Sequence, residues 1–372
     1  MIPLLEAPRF DAHFADASNA MNMSSPFVER VDGEALAREL TRLFATLDVA
    51  DVDVAELGAW SSDETRENVS KFPRAIYANA SAIALTPDAM DSVRAHCRER
   101  LGEDGADGDA DVALCALCAN GDHATAWNAR KRRIANEREG FDFSSLTREL
   151  AIVSAIQSRF PKAPSAWAHR RWAIARVAGG RETDLEARQA LFARERAACE
   201  RASGRKKRNY AAWSHRAWAL GFIARDEGAT RAELETTEAL VRRNVSDHCV
   251  MHYRSRVLLQ FLRLCAEETE ARLEYEMDFV RCLIKTYPGH ESLWSYLRFV
   301  FAKTTRRAPW RLAEYLSSAC AFAEECSDVE HAAMLDPTWA EHADATQRRL
   351  ALTFVRFARL VVEGGRLGSK DI

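Results

Sequence analysis

Pro164-Ser165-Ala166-Trp167-Ala168-His169-Arg170 is one copy of a short motif that the sequence contains five times. The motif, a Trp followed three residues later by an Arg, recurs around Trp127 and Trp213. Met251 replaces the Trp in the fourth copy, and the fifth, at Trp294, lacks the Arg. The five anchor positions lie 40, 46, 38 and 43 residues apart. Such a period is typical of stacked supersecondary units rather than of one globular core.

The anchor pairs are predicted to be packing residues. They are Trp127 and Arg130, Trp167 and Arg170, Trp213 and Arg216, Met251 and Arg254, and Trp294 without an Arg. Residues i and i+3 share one face of a helix. We therefore expect each Trp to be buried between the two helices of a hairpin. Its Arg should lie beside the ring and reach carbonyl groups of a neighbouring helix. Trp172 and Trp218 are expected to pack in the same way.

Helical hairpins are predicted from residue 111 onward. Apolar residues recur at helical spacing over 146–160, Pro161 ends that helix, and Pro164 starts the next. The same order recurs in the later copies, and a final pair of helices, near 310–326 and 339–362, lacks the motif. No convincing alternating strand is found. The fold class predicted is all-α: an α-α superhelix, a right-handed, crescent-shaped solenoid of helical hairpins.

Three regions are predicted along the chain. Residues 1–110 form a divergent N-terminal helical region with an acidic linker, and helices are expected there near 31–47 and 88–101. Residues 111–303 hold the five repeats. Residues 304–372 form capping helices.

Composition narrows the classes of function. The net charge of -3 argues against a nucleic-acid binder, which needs clustered positive charge. The nine cysteines form no framework, so free thiols in a reducing compartment are expected. Cys115 and Cys118 are predicted to pack in a core rather than bind metal.

The basic stretch 204–208 is predicted to be a solvated loop, with contact to an acidic partner or a diphosphate as the alternative. The absence of a signal peptide or an apolar run of ~20 residues predicts a cytoplasmic protein without a membrane span.

The motif and its surroundings resemble the α-subunit repeat of the protein prenyltransferases. The blocks that carry the resemblance are 160–172, 209–218, 245–254 and 287–294, and they look closer to a divergent α-type relative than to a standard farnesyltransferase α subunit. The resemblance covers about residues 111–303. It implies a chain that wraps a β subunit and is inactive without it; Gly-rich phosphate loops and Asp-rich diphosphate motifs are absent from the sequence.

The resemblance also implies partners and chemistry. The β subunit, suspected to be of the Rab geranylgeranyltransferase type, holds zinc and the isoprenoid pocket. The reaction implied is transfer of a geranylgeranyl group from its diphosphate to a cysteine near the C-terminus of a protein substrate, suspected to be a SNARE. No cofactor is expected in this chain.

Two site residues follow from the resemblance. Lys162 stands five residues before Trp167, where the family places a lysine beside the diphosphate, and Tyr210 keeps a phenol in the next repeat. The pattern is incomplete, because Pro164 replaces a tyrosine and Ala211 a histidine.

Two alternatives remain open from the sequence. One is a non-catalytic scaffold of tetratricopeptide-like or RNA-processing type, although tetratricopeptide units are 34 residues long. The other keeps the family fold without catalysis, as Pro164 and Ala211 suggest.

Overall fold

The computed structural model describes residues 32–46, 53–56, 70–71, 76–78, 82–102, 110–136, 140–178, 184–328 and 337–367. The N-terminal part contains α1 (Gly33–Thr46), β1 (Asp53–Glu56), β2 (Ile76–Ala78), β3 (Ala82–Leu85) and α2 (Pro87–Gly102). The six hairpins that follow are α3 (Ala110–Ala119) with α4 (Ala124–Ala135), α5 (Phe143–Arg159) with α6 (Pro164–Ala178), α7 (Leu185–Arg205) with α8 (Tyr210–Ala219), α9 (Glu227–Arg243) with α10 (His248–Leu264), α11 (Thr269–Thr286) with α12 (Glu291–Arg307), and α13 (Leu312–Asp328) with α14 (Pro337–Leu367).

The hairpins stack as predicted, which confirms the all-α superhelix. The helices α4, α6, α8, α10, α12 and α14, which we call the second helices, contact one another in an unbroken row. Contacts between successive first helices are sparser. A π-helical turn, Leu220–Ala224, extends α8, and short 3-10 turns precede α11 and α13. No helix in the ranges given above is long and apolar enough to cross a bilayer.

The N-terminal part contains a small sheet, so the expectation of no strand is wrong there. The strand order is β1-β3-β2, with β1 parallel and β2 antiparallel to β3. The sheet joins the first hairpins through α5, where the Val54 amide donates to Ser158 Oγ at 2.8 Å. Strands of three or four residues are too short to show a convincing period of two. The predicted acidic linker, and the ends of the helix predicted near 31–47, lie outside the described residues.

Helix starts follow the capping residues. Helix α9 begins at Glu227, because Asp226 Oδ1 accepts from the Ala229 amide at 2.7 Å and forms an N-cap. Asn209 caps α8 in the same way through the Ala212 amide at 3.2 Å.

The anchor residues are buried, but their rings reach across repeats rather than staying within one hairpin. Trp127 contacts the ring of His169 with 4.5 Å between centroids, and Trp167 contacts that of His215 at 5.0 Å. The other anchors, Trp213, Met251 and Trp294, are also at most 5% exposed. Each of these tilted ring pairs joins an anchor to the residue two positions after the next anchor. The anchors therefore hold neighbouring repeats together.

Trp172 and Trp218, which were expected to pack like the anchors, are only half-buried. They lie on the second helices α6 and α8, and their rings contact those of His169 and His215, with 5.4 Å between centroids in each case.

Buried charges connect the same helices. The anchor arginine of each of the first four copies binds a buried glutamate on the first helix of the next hairpin. A His or Tyr two positions after the next anchor binds that glutamate as well. These groups, which we call the buried ladder, are Arg130–Glu149–His169, Arg170–Glu195–His215, Arg216–Glu233–Tyr253 and Arg254–Glu276–Tyr296.

The group around Glu195 illustrates the geometry. Arg170 Nε and Nη2 donate to the two Glu195 oxygens at 2.6 and 2.8 Å, and His215 Nε2 lies 2.7 Å from Glu195 Oε2. All three residues are fully buried. Arg170 also donates to the Leu150 carbonyl at 3.3 Å, as the sequence predicted, but its main partner is the carboxylate.

Titration follows from this arrangement. Burial alone would raise the pKa of Glu195, but Arg170 and His215 lower that pKa to about 2. Burial also lowers the pKa of His169 and His215 below the ordinary 6.5, with their glutamates acting the other way. Both histidines are therefore neutral donors to a charged carboxylate that the arginine already neutralises.

Glu195→Gln is expected to destabilise the fold strongly. The amide can still accept from His215, but Arg170 keeps a buried positive charge without a carboxylate, which costs about 3–5 kcal/mol. Urea unfolding of Glu195→Gln and of the exposed control Glu235→Gln measures the difference. The control should change by less than about 0.5 kcal/mol. Equal stability of the two variants would contradict the role given to Glu195.

The low pKa values of His169 and His215 in the folded chain predict that the free energy of unfolding depends on pH. The unfolded chain binds more protons than the folded one just below pH 6.5, because the folded pKa values of His169 and His215 are lower. The free energy of unfolding should therefore fall as the pH drops from about 7.5 to about 5.5. The double variant His169→Tyr, His215→Tyr places at these two positions the tyrosine that the other two groups of the buried ladder already have. Burial raises the pKa of Tyr253 and Tyr296 well above 10, so a tyrosine at this place in the ladder stays neutral across this pH range.

Urea unfolding across that pH range should give a flatter profile for the double variant. The exposed His248→Tyr serves as the control and should keep the wild-type slope. An unchanged slope in the double variant would show that these two histidines do not titrate as proposed.

Candidate functional site

The short loops before the second helices form one continuous edge. These loops, residues 120–123, 160–163, 206–209, 244–247 and 287–290, are called the loop edge here. The first loop is bonded to the start of α6, and each later loop is bonded to the loop before it. The bonds are Ser165 N to Asp122 Oδ1 at 2.8 Å, Asn209 Nδ2 to the Pro161 carbonyl at 2.7 Å, Arg208 N to Asp247 Oδ2 at 3.2 Å, and Ser246 Oγ with His290 Nδ1 at 2.9 Å. The loops therefore keep fixed positions relative to one another.

The anchor tryptophans shape this edge from below. Trp127 Nε1 donates to the Gly121 carbonyl at 2.9 Å, and Trp167 Nε1 donates to the Pro161 carbonyl at 3.0 Å. Both bonds connect the Trp to a residue six positions earlier. The residues before these two anchors are thereby held in turns at the N-termini of α4 and α6, where backbone amides and the helix dipole favour negative charge.

Lys162 lies exposed in the second of these loops, immediately after Pro161. Arg208 is also exposed, and it adopts a left-handed conformation with φ of 55°. Both cations act electrostatically on the Cys249 thiol in the first turn of α10. Burial, followed by the neighbouring Asp247 carboxylate, raises the pKa of that thiol to about 11, and Lys162 and Arg208 oppose the rise. The loop edge thus brings two cations from adjacent repeats, together with the buried carboxylate of Asp247, to the start of α10.

Tyr210 reaches the same turn from α8. Its side chain is 64% exposed, and its ring centroid lies 6.2 Å from that of His252. Burial, followed by the charge of Arg256, lowers the pKa of His252. Cys249 and His252 are three residues apart on one helix face. The structure therefore brings Lys162 and Tyr210, both proposed from the sequence, to neighbouring positions beside α10.

This arrangement suits an anion. An ammonium, a guanidinium and a phenol project from a rigid edge, and each can donate a hydrogen bond to phosphate or carboxylate oxygens. Pro164 is exposed at the first position of α6 and supplies no donor, and Ala211 packs against the small cluster around Trp167. Both positions at which the family pattern is incomplete thus lack a polar group.

Three contributors were not selected from the sequence. In the sequence, Arg208 belongs to the basic stretch 204–208, and Cys249 and His252 belong to the fourth copy of the motif. Neither pattern marks these three residues as members of a site. Their proximity depends on how α8 and α10 pack, and only their place at the start of a repeat could have identified them.

The cysteine pair behaves as predicted. Cys115 and Cys118 are buried in α3, and burial raises the pKa of Cys118 to about 12, so that thiol stays neutral. Within the residues that the structure describes, no group of three or more His, Cys, Asp or Glu side chains could hold a metal ion.

Comparison with known proteins gives matches in the same region. The model of the protein prenyltransferase alpha subunit repeat matches residues 146–177, 192–223 and 273–304, which are the α5–α6, α7–α8 and α11–α12 hairpins. The chain is 31% identical over 241 residues to the protein prenyltransferase alpha subunit repeat-containing protein 1-A of Xenopus laevis, an alignment that covers 51% of this chain and 54% of that protein. It is 30% identical over 239 residues to the Homo sapiens protein prenyltransferase alpha subunit repeat-containing protein 1, covering 51% and 58%.

A more distant similarity reaches a named transferase subunit. The chain is 28% identical over 197 residues to the geranylgeranyl transferase type-2 subunit alpha of Rattus norvegicus, covering 50% of this chain and 32% of that protein. The chain thus spans about half the length of the Xenopus laevis protein and about a third of the Rattus norvegicus subunit. These matches confirm the resemblance drawn from the sequence: three hairpins of the chain match the protein prenyltransferase alpha subunit repeat.

Proposed function

We propose that this chain is the α-type subunit of a heterodimeric protein prenyltransferase and acts in the cytoplasm. The positions of Lys162, Arg208 and Tyr210 around the first turn of α10 support the proposal, because these three groups could donate to one anion on repeats of the α-subunit type. A relative named as a geranylgeranyl transferase type-2 subunit supports geranylgeranyl as the transferred group.

The partner supplies the remaining chemistry. The β subunit, of Rab geranylgeranyltransferase type, would hold the isoprenoid pocket and a zinc ion that lowers the pKa of the substrate cysteine. The thiolate attacks the first carbon of the isoprenoid, the carbon–oxygen bond breaks, and diphosphate leaves. Lys162 would stabilise the charge that develops on the leaving oxygen, and Tyr210 would donate to the same diphosphate. The protein substrate proposed is a SNARE with a cysteine near its C-terminus.

A second candidate function keeps the partner and omits the chemistry. Pro164 and Ala211, at the starts of α6 and α8, lack the polar groups of the family pattern, so the chain could serve as a scaffold that binds the β subunit and positions the protein substrate. The two functions differ in whether Lys162 contributes to the rate.

Reconstitution with the β subunit tests the proposal. The chain should co-purify with the β subunit of geranylgeranyltransferase type 2, and the complex should transfer geranylgeranyl to a SNARE C-terminal peptide. Lys162→Ala should lower the turnover on the order of tenfold or more, because a cation at the leaving group acts mainly in the transition state.

Lys206→Ala is a matched control, since Lys206 is equally exposed in the next loop. It should leave the turnover unchanged. If no β subunit binds, the assignment is wrong. If the β subunit binds and Lys162→Ala matches Lys206→Ala in turnover, the scaffold function is correct instead.

A further inference from the structure

The residue that directly follows each anchor lies on the solvent side of its helix. In the five copies it is Asn128, Ala168, Ser214, His252 and Ser295, and each of these side chains is exposed or half-buried. Packing at this level comes from the anchor before it and, in most copies, from the buried residues two and three positions after the anchor. Four copies have a small side chain or an amide at this position. His252 is the one large ring there, and packing does not require it.

His252 and Tyr210 meet at the junction of two repeats. The two rings are tilted by 36°, with 6.2 Å between their centroids. Neither the imidazole nitrogens of His252 nor the hydroxyl of Tyr210 has a hydrogen-bond partner among the residues that the structure describes. Both residues are exposed, so their polar atoms are free to bind a group from outside the chain.

A third polar group approaches Tyr210 from α6. Arg171 is half-buried, and it donates to Ser214 Oγ at 3.2 Å and to His215 Nδ1 at 3.4 Å. Burial lowers the pKa of Arg171, and the charges that Cys199 and Tyr210 would carry act in the opposite direction. The phenol is therefore flanked by a guanidinium from the repeat before it and an imidazole from the repeat after it.

The nearby carboxylate does not compete for these donors. Asp247 lies in the loop before α10, and its two oxygens accept from the backbone amides of Cys249 at 2.9 Å and of Arg208 at 3.2 Å. Its role is that of an N-cap. The imidazole of His252 is neutral near pH 7, because burial and then the charge of Arg256 lower its pKa. A neutral imidazole donates from one ring nitrogen, as a phenol donates from its oxygen.

Position 211 cannot provide this imidazole. The resemblance to the prenyltransferase repeats implies a histidine directly after Tyr210, but Ala211 stands there and packs against the cluster around Trp167. His252 reaches the neighbourhood of Tyr210 from α10 instead. The donor that is absent from one repeat is thus present on the next.

We propose that His252 is a further ligand of the diphosphate and donates to it together with Tyr210. The inference rests on the proposed function, which supplies the diphosphate. When the carbon–oxygen bond breaks, negative charge accumulates on the diphosphate oxygens, and a fixed donor binds them more strongly as that charge grows. The change at Ala211 then moves a donor from one repeat to the next and does not by itself leave a scaffold.

Turnover of the complex with the β subunit tests the inference. His252→Phe keeps a ring beside Tyr210 and removes the N–H, so it should lower turnover as much as His252→Ala does, roughly tenfold or more. His252→Gln keeps an N–H donor at a similar reach, and its turnover should stay within about threefold of the wild type.

Asn128→Ala is the matched control, because Asn128 occupies the same position in the first repeat and is also exposed. It should leave turnover unchanged. If His252→Phe keeps the wild-type turnover, the ring acts only by packing and the inference is wrong. If all three variants at 252 match the control while Lys162→Ala lowers turnover, the inference is wrong and the proposed function stands.

Inorganic diphosphate tests the same contact on the chain without the β subunit. NMR signals of the His252 ring, assigned as those that disappear in His252→Gln, should move when diphosphate is added at constant ionic strength. The signals of His96, which lies on α2, should stay in place. If the His252 signals do not move, the inference is wrong even where the β subunit binds. If no β subunit binds, the proposed function is wrong, and movement of the His252 signals still supports the contact with diphosphate.

Discussion

The fold depends on glutamates that are buried between repeats and shared by two neighbours. Each one accepts from the arginine of one second helix and from the His or Tyr of the next, so it fixes the position of both relative to its own helix. A buried charge of this kind adds little net stability, because the carboxylate and guanidinium lose their hydration. It does penalise every arrangement that leaves one member unpaired. The anchor rings provide apolar burial, and the ladder selects the register of the stack.

The irregular copies of the motif are explained by where the ladder ends. In the first copy Ala129 stands where later repeats have His or Tyr, so the ladder begins with Arg130 alone. In the last copy Leu297 replaces the Arg, and the ladder ends at Tyr296. Neither end therefore leaves a buried arginine without its glutamate. The fifth copy needs no Arg because the helix that follows it is different. There α12 packs on the capping helix α14 through Trp294 and Gln347.

Much of the fold could be predicted, because a Trp or Met with its Arg marks each repeat on a single short segment. The ladder glutamates could not be selected by residue type. Glu195, for instance, stands between Arg194 and Arg196 in a helix of many charges, and only its place 18 residues before Trp213, repeated in each later copy, sets it apart. In the candidate site, Lys162 and Tyr210 came from the resemblance to a family. Cys249 and His252 join them through helix packing, which no local pattern encodes.

The buried ladder also changes what the net charge of the chain can indicate. Each ladder arginine is neutralised by a glutamate of the next repeat, so the ladder contributes almost nothing to the charge that a partner meets. The net charge of -3 is a sum over the whole sequence, so it does not say how the exposed charges are distributed among the helices. An average near zero is compatible with one strongly cationic face, because a partner within a Debye length of about 8–10 Å responds to the near face only. Nucleic acid is therefore disfavoured by the cations that already lie over the rings of Trp172 and Trp218, and not by net charge.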